Sequence, residues 1–196
     1  MKLKEARAIA EELLATLAPA FEQLHIAGSI RREKPEVDDI ELVGVPIWSK
    51  NLFGEPTGKS ERLDSLLWEL IERHVLGYDA ANPRNGPKYK RLVIRGKDIS
   101  VDLFLAEPDN FGNIFVIQTG DSEFRKRLVS AWSFGGLMPF NISQRDGYLW
   151  RGGERLSCKT EMDFFNALSL EWIEPKDRNF RTIEQIREAR SKEIPA

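Results

Sequence analysis

The sequence predicts an α/β fold, in which a mixed β-sheet packed by helices is followed by a small C-terminal α+β lobe. Apolar residues recur at helical spacing in residues 2–18 and again in residues 60–74. Apolar and polar residues alternate in residues 37–46, as they do in a strand with one buried face. Helical and strand patterns that interleave along one chain are typical of a sheet covered by helices.

Further elements are predicted between these in the first half of the chain. Residues 21–28 predict a short strand that ends in a Gly-Ser turn. Residues 48–61 are rich in Gly, Pro and Ser and predict a loop. Residues 89–106 predict a hairpin that turns at Gly96-Lys97.

The second half of the chain predicts a separate set of elements. Helical patterns resume at residues 121–134, and a second hairpin is expected to turn at Asp146-Gly147. A helix is predicted from Thr160 to about Ser169, because acids occupy its first turn. Residues 182–193 predict a further charged helix.

The segment with the weakest pattern of helix or strand is residues 106–112, which contain Pro, Asp, Asn and Gly. We therefore expect a main domain at residues 1–107 and a smaller lobe at residues 108–196.

Composition places the chain among soluble globular proteins. It has 196 residues, of which 41% are hydrophobic and 31% are charged, and its net charge is −2. No apolar run approaches the about 18 residues that a membrane span needs, and acids within residues 2–18 argue against a signal peptide. Cys158 is the single cysteine, which excludes an internal disulfide framework. We expect a cytoplasmic protein without membrane contact.

Three acidic residues in strand contexts form the first candidate site. Asp39 and Glu41 are two residues apart, so a strand directs both side chains to one face, while Asp38 falls on the opposite face. Asp102 lies between apolar residues of the predicted hairpin. Three carboxylates suit a hard cation such as Mg²⁺, and no Cys or His near these strands suggests zinc. For any one of these acids, a solvated position on an exposed strand face is the alternative.

A turn at Gly28 supplies groups that suit a phosphate. Backbone N–H groups in such a turn can cradle phosphate oxygens, and the Ser29 hydroxyl adds a donor. Arg32 offers a guanidinium whose fork matches phosphate geometry. A Gly-Ser pair alone is unspecific, and its meaning comes from the acidic strand that follows it.

These motifs resemble the nucleotidyltransferase signature of the family X DNA polymerases, the polymerase beta-like family. "GSIRR" followed by "DIELV" resembles its first motif, and "VDLFLAEPDNFG" resembles its third-carboxylate strand and the loop after it. "QTGDSEFRKRL" resembles its nucleotide-pocket turn and helix, and "FFNALSLEWIEPKDRN" resembles its C-terminal end. The likeness covers about residues 2–179 in colinear order. It implies a nucleotidyltransferase palm at 1–107 and a C-terminal nucleotide-selecting lobe at 108–196.

The resemblance also implies roles for individual residues. Asp39 and Glu41 would ligate both of two Mg²⁺ ions, for which Mn²⁺ can substitute, and Asp102 would ligate only the catalytic one. Ser29 and Arg32 would hold the β- and γ-phosphates of the nucleotide, and a turn in the lobe would approach its sugar. The implied nucleotide contacts are Gly28, Ser29, Arg32, Thr119, Gly120, Ser122 and Arg125.

Three departures from the family pattern bear on specificity. Glu41 stands where the polymerases usually have Asp, although related antibiotic nucleotidyltransferases tolerate Glu there. Ile117 and Gln118 stand where polymerase beta has two aromatic residues that help to exclude a ribose 2′-hydroxyl. Val129 stands where polymerase beta has an arginine that contacts the template strand. We therefore expect weak sugar discrimination and low fidelity.

Basic residues cluster in residues 30–34, 87–97 and 124–127, so any nucleic-acid surface is expected to be a patch. For Lys88, Lys90, Arg91 and Arg95, the alternative to DNA contact is a solvated basic strand. For Asn141, the alternative is an ordinary position in a hairpin. The candidate DNA contacts are Lys88, Lys90, Arg91, Arg95, Lys126 and Asn141.

The tryptophans have less specific expectations. Trp68 lies near the apolar face of its predicted helix and is expected in the core, and Trp172 is expected to pack the last lobe. Trp48 and Trp132 can stack on bases, with packing at the core or its rim as the alternative.

The sequence thus predicts a metal-dependent nucleotidyltransferase, in the form of a small family X-like DNA polymerase that extends a primer 3′-hydroxyl. Its expected partners are a nucleoside triphosphate and primer or primer-template DNA, with RNA ends as a further acceptor, and a monomer is expected. Lyase and helix-hairpin-helix modules have no counterpart, which implies a minimal member, bacterial or viral. The alternatives are an untemplated or non-DNA-acceptor enzyme and a catalytically silent nucleic-acid-binding module of the same fold.

Overall fold

The structure is a computed structural model that describes residues 1–54, 57–97 and 99–193. Parts of three predictions lie outside these residues: two positions of the loop predicted at 48–61, one position of the predicted hairpin strand that contains Asp102, and the last residues of the C-terminal lobe.

The chain divides into a first unit, Met1–Glu107, and a second unit, Pro108–Ala196. Each unit has its own hydrophobic core and combines helices with strands, and the predicted α/β fold class is confirmed. Among the described residues, no helix is long and apolar enough to cross a membrane.

The first unit is a mixed sheet with helices. The strands follow the order β1-β2-β6-β5-β3, with β4 on β5; β2 and β6 run parallel, and the other neighbours run antiparallel. The hairpin predicted to turn at Gly96-Lys97 is present as β5 and β6. The elements are α1 (Leu3–Leu17), β1 (Phe21–Ile26), α2 (Gly28–Arg31), β2 (Ile40–Pro46), α3 (Glu61–Glu72), β3 (Leu76–Tyr78), β4 (Arg84–Asn85), β5 (Tyr89–Ile94) and β6 (Ile99–Leu105).

Helices α1 and α3 bury one apolar stripe each. The Ser60 side chain caps α3 by accepting a hydrogen bond from the Leu63 backbone N–H, and Leu63, Leu67 and Leu70 are buried. Trp68 follows Leu67 by one position, about 100° further around the helix. It is 67% exposed, so the prediction that Trp68 lies in the core is wrong.

Strands β2 and β6 run parallel, and an apolar residue followed by an acidic residue occupies the same register position in both. Ile40 pairs with Val101, and Glu41 pairs with Asp102. Ile40 and Val101 are buried in the core of the first unit, so Glu41 and Asp102 point to the opposite face of the sheet.

The second unit contains helices and a three-stranded antiparallel sheet, β7-β8-β9. The hairpin predicted at Asp146-Gly147 is present, and both residues have positive φ (56° and 87°), as a type I′ turn requires. The helix predicted at Thr160 begins with a capping box. The elements are α4 (Phe111–Thr119), α5 (Ser122–Leu128), β7 (Ile142–Arg145), β8 (Tyr148–Arg151), β9 (Glu154–Leu156), α6 (Glu161–Ala167) and α7 (Phe180–Glu193).

Two boundaries in the second unit differ from the predictions. The helix predicted at 121–134 ends at Leu128 and is followed by a short 3-10 helix, Trp132–Phe134, which ends because Gly135 adopts a left-handed conformation (φ 77°). Helix α4 was not predicted. Its sequence is apolar on all sides and contains β-branched residues, so it shows no amphipathic helical pattern.

A buried ion pair lies in the core of the second unit. The Arg178 guanidinium is fully buried and donates hydrogen bonds to the Glu161 carboxylate and, at 2.9 Å, to the Ile173 carbonyl. It lies 5.2 Å from the ring centre of Phe165 and 5.0 Å from that of Trp172, which therefore packs in this lobe as predicted.

Candidate active site

Glu41 and Asp102 are neighbours on adjacent strands and share the face of the sheet that lies opposite the core. Neighbouring strands lie about 4.8 Å apart, so two side chains in register are within reach of one ligand. Asp39 differs from the prediction, because β2 begins only at Ile40 and Asp39 lies in a bend one residue earlier. Asp39 is half-buried and Asp38 is exposed.

The Asp102 carboxylate is held by two donors from β5. Its Oδ1 accepts hydrogen bonds of 2.7 Å from the Tyr89 hydroxyl and of 2.7 Å from the Arg91 guanidinium. Arg91 Nε also donates to Asp79 Oδ2 at 2.9 Å. Asp102 Oδ2 accepts no hydrogen bond from the described residues, so one oxygen of this carboxylate remains available to a ligand.

Electrostatics keep these partners in their hydrogen-bonding states. Hydrogen bonds with Tyr89 and Asp79 raise the pKa of Arg91, which stays charged. Burial, together with the hydrogen bond to Asp102, raises the pKa of Tyr89, so its hydroxyl remains a donor. The hydrogen bond from Arg91 lowers the pKa of Asp79, which remains an anion and shares the arginine with Asp102.

The Glu41 carboxylate contacts the turn between β1 and α2. Its Oε2 accepts a hydrogen bond from the Ser29 backbone N–H at 3.3 Å. Gly28 has φ +58°, and a Cβ at this position would lie 1.4 Å from Glu41 Oε2. The turn therefore requires glycine for two reasons, a left-handed backbone and the close approach of the glutamate.

Ser29 and Arg32 lie at this turn, where the sequence predicted phosphate contacts. The Ser29 hydroxyl oxygen is buried and has no hydrogen-bond partner among the described residues. Arg32 follows α2 directly and is half-buried. A buried hydroxyl without a partner is unusual and fits a ligand oxygen.

The three predicted metal ligands do not form one cluster in this structure. Within residues 1–54, 57–97 and 99–193, no group of three or more His, Cys, Asp or Glu side chains is arranged to hold a metal ion. Glu41 contacts Ser29, and Asp102 contacts Tyr89 and Arg91. The donor chemistry nevertheless fits a hard cation, because two carboxylates are in register and an oxygen of Asp102 is available.

The predicted nucleotide contacts of the second unit lie around the junction of α4 and α5. Thr119 ends α4 and is buried, and Gly120 follows it. A Cβ on Gly120 would lie 2.3 Å from a ring carbon of Phe124, so close packing requires glycine here. Ser122 is exposed, and Arg125 donates a 2.9 Å hydrogen bond to the Gln118 side chain.

The predicted DNA contacts fall into two groups. Lys88, Arg95, Lys126 and Asn141 are exposed. Lys90 is only 7% exposed, and its ammonium donates to Asn85 Oδ1 at 2.7 Å and lies 3.3 Å from Asp64 Oδ1. Lys90 and Arg91 therefore have internal partners, which differs from the expectation that they contact a DNA backbone.

Sequence reasoning did not find Tyr89, Arg91 and Asp79 as partners of the site. The hairpin pattern could have found Arg91. A turn at Gly96-Lys97 pairs Ile94 with Ile99, and counting back along both strands places Arg91 opposite Asp102. Asp79 lies outside the hairpin, and the sequence carries no signal for its contact.

Comparison with known proteins gives one family. The DNA polymerase beta thumb family matches residues 116–179, about a third of the chain, all within the second unit. A search of curated proteins finds no significant match. The family match supports a relationship to polymerase beta-like proteins, and the carboxylates of the first unit lie outside the matched residues.

Proposed function

We propose that this protein is a metal-dependent nucleotidyltransferase of the polymerase beta type, which adds nucleotides to a primer 3′-hydroxyl. The observation that carries the proposal is the pair of Glu41 and Asp102, which are in register on the adjacent parallel strands β2 and β6. Asp39 lies one residue before β2. The match of residues 116–179 to a polymerase beta thumb supports nucleic acid as the acceptor.

The proposed reaction forms a bond between the primer 3′-oxygen and the α-phosphorus of a nucleoside triphosphate. The bond from that phosphorus to the bridging oxygen breaks, pyrophosphate leaves, and the hydroxyl proton passes to solvent. Mg²⁺ held by Asp39, Glu41 and Asp102 would lower the pKa of the attacking hydroxyl and neutralise phosphate charge. The chain itself binds and orients: the Ser29 hydroxyl and Arg32 hold the non-reacting phosphates, and Tyr89 and Arg91 hold Asp102.

Primer extension tests this proposal directly. Labelled primer, with and without template, is incubated with each deoxynucleotide or ribonucleotide and with Mg²⁺ or Mn²⁺, and products are separated by length. We expect extension with metal and none with a chelator. Template-directed addition identifies a polymerase, and template-independent addition identifies a tailing enzyme. No addition under any of these conditions, by protein shown to be folded, contradicts the proposal.

Excess unlabelled primer-template reports on how the protein holds DNA. The net charge is −2 and the basic residues cluster only in short segments, so we expect weak binding at physiological salt and only one or a few additions per encounter. With Ile117, Gln118 and Val129 at the specificity positions, misincorporation and ribonucleotide use are expected to be measurable. Long products from one encounter, or strict refusal of ribonucleotides, would contradict these expectations.

Arg32 provides a test of nucleotide binding. Arg32→Ala removes a cation from a non-reacting part of the nucleotide, so we expect the KM for the triphosphate to rise about 10-fold with a smaller change in kcat. Lys34→Ala is the matched control, because Lys34 is an exposed cation of the same basic segment. Equal effects of the two replacements would show that only the general charge of the segment matters.

One observation favours the alternative of a catalytically silent nucleic-acid-binding module. Arg91 already neutralises Asp102, and among the described residues no three acids converge on one point. Titration with Mn²⁺, followed by electron paramagnetic resonance, separates the two functions. Binding that depends on Asp102 favours the enzyme, and absence of binding, together with retained affinity for DNA, favours the silent module.

A further inference from the structure

A cavity of about 470 Å³ lies in the first unit, and neither Glu41 nor Asp102 lines it. Lys90 lines the cavity, whereas the next residue, Arg91, contacts Asp102. Consecutive strand residues point to opposite faces of a sheet, so the cavity lies on the face opposite Asp102. Its volume falls within the about 300–1,000 Å³ that is typical of small-ligand sites.

Three aromatic side chains, Trp48, Trp68 and Tyr78, line this cavity. Trp68 is 67% exposed and Tyr78 is 38% exposed, although both are large apolar side chains. Trp48 is half-buried, and its indole N–H is buried without a hydrogen-bond partner among the described residues. Buried Leu63 and Leu105 also line the cavity. Such a surface offers ring contact to a flat, apolar ligand.

The polar groups of the cavity are fixed by internal contacts. Lys90 is nearly fully buried, and Asn85 and Asp64 hold its ammonium in place. Tyr78 lies beside the same two residues, and burial together with the Asp64 charge raises the pKa of its hydroxyl, which remains a donor. A polar network of this kind suits recognition of hydrogen-bonding groups on the edge of a ring.

Lys59 completes the cavity with an exposed ammonium. The Lys90 charge is offset by Asp64, so among the lining residues Lys59 is the cation that an anionic ligand would meet. An apolar peptide or a lipid chain would leave the buried indole N–H of Trp48 without a hydrogen-bond partner, which is costly.

We propose that this cavity binds one unpaired nucleotide, with the base against Trp68 and Tyr78 and the phosphate near Lys59. Aromatic rings, fixed hydrogen-bonding groups and one exposed cation are together the chemistry of base stacking and phosphate binding. The nucleotide is either a free mononucleotide or one residue of a single strand. The site is separate from the triphosphate site proposed above and does not depend on the metal or on the reaction.

Binding is measured in the presence of a chelator, so that the result does not depend on catalysis. The probes are a short fluorescent oligodeoxythymidylate, an abasic oligonucleotide of the same length, and thymidine monophosphate as competitor. Trp68→Ala is the principal variant, since its exposed side chain makes the replacement tolerable for the fold, which circular dichroism verifies. Phe134→Ala, at an aromatic side chain that is 79% exposed in the second unit, is the matched control.

We expect Trp68→Ala to weaken binding of oligodeoxythymidylate about 5- to 150-fold, because stacking contributes roughly 1–3 kcal/mol per base. Affinity for the abasic strand should not change, and Phe134→Ala should have no effect. Lys59→Glu should weaken binding of both strands, while Lys4→Glu, at an exposed lysine of α1 that does not line the cavity, should weaken it less. Competition by the mononucleotide at similar concentration identifies the free nucleotide as the ligand, and its failure to compete identifies the single strand.

Crosslinking locates the site independently of the variants. An oligonucleotide that carries 5-iododeoxyuridine is irradiated with the protein, and the crosslinked peptides are identified by mass spectrometry. Crosslinks to Trp48, Trp68 or Tyr78 support the proposal. Crosslinks confined to the second unit, or an unchanged affinity of the Trp68→Ala protein for oligodeoxythymidylate, overturn it.

Discussion

The two units of the chain each contain an arginine–carboxylate pair, and the pairs differ in exposure, chiefly of the arginine, and in surroundings. In the first unit, the side chains of Arg91 and Asp102 are 22% and 12% exposed, and one oxygen of Asp102 accepts no hydrogen bond from the described residues. In the second unit, the side chains of Arg178 and Glu161 are 0% and 8% exposed. There the arginine also contacts a backbone carbonyl and two aromatic rings.

This difference separates a site from an architectural contact. A buried charge is expensive, and a pair enclosed among rings and carbonyls contributes to packing and is out of reach of solvent. A pair at a partly open surface keeps bonding capacity for a ligand. The match to the polymerase beta thumb family includes Glu161 and Arg178, so the similarity lies in the unit with this enclosed pair (the closed pair), whereas the candidate chemistry lies in the other unit.

The largest expected effect is on the more exposed pair, Arg91 and Asp102 (the open pair). Asp102→Asn keeps an oxygen that can accept from Tyr89 and Arg91 but removes the negative charge, and Arg91 retains Asp79. We expect turnover in primer extension to fall by at least about 10³-fold, which corresponds to about 4 kcal/mol, with little loss of thermal stability. Asp38→Asn is the matched control, since Asp38 is exposed and adjacent to Asp39. Near-normal extension by the Asp102→Asn protein would remove Asp102 from the site.

The closed pair should respond in stability instead. Arg178→Ala leaves the Glu161 carboxylate buried without its cation, and we expect the free energy of unfolding to fall by about 3–5 kcal/mol in denaturant titration. The double variant Arg178→Met with Glu161→Leu removes both charges and should recover most of this loss. If Arg178→Ala were as stable as the unmodified protein, the closed pair would not be architectural.

The sequence predicted the candidate site and the fold only in part. Period-2 alternation placed Glu41 and the strand of Asp102 correctly, because one buried face dictates that pattern over any strand. The pattern could not show where each carboxylate points, since that depends on Gly28, Tyr89 and Arg91, which reach the acids from other elements. Helix α4 was missed because burial on nearly all sides removes the helical periodicity.

A smaller effect is expected at Gly28, where the turn between β1 and α2 contacts the Glu41 carboxylate. Gly28→Ala and Gly96→Ala both place alanine at positive φ (58° and 76°), which costs about 1–2 kcal/mol. At Gly96 nothing lies within 4 Å of the new Cβ, whereas at Gly28 the Cβ would overlap the Glu41 carboxylate. Gly28→Ala should therefore cost about 1–3 kcal/mol more in denaturant titration and should also raise the KM for nucleotide. Equal losses in the two proteins would show that Glu41 moves away without cost.

The smallest expected effect tests whether the partners of the open pair position it for a ligand. Tyr89→Phe removes one of the two donors to Asp102 Oδ1 but keeps the ring, which stacks on Phe104 at 5.0 Å. Because Arg91 remains, the fold should be nearly unaffected, whereas the orientation of the carboxylate should become less defined. We expect Mn²⁺ affinity, measured by electron paramagnetic resonance without substrate, to fall about 10-fold, the lower end of the range for partners of metal ligands. Tyr148→Phe, at a buried tyrosine of the second unit, should leave Mn²⁺ affinity unchanged. If Tyr89→Phe binds Mn²⁺ as tightly as the unmodified protein, then Arg91 alone orients Asp102, and the open pair resembles the closed pair in depending on a single cation.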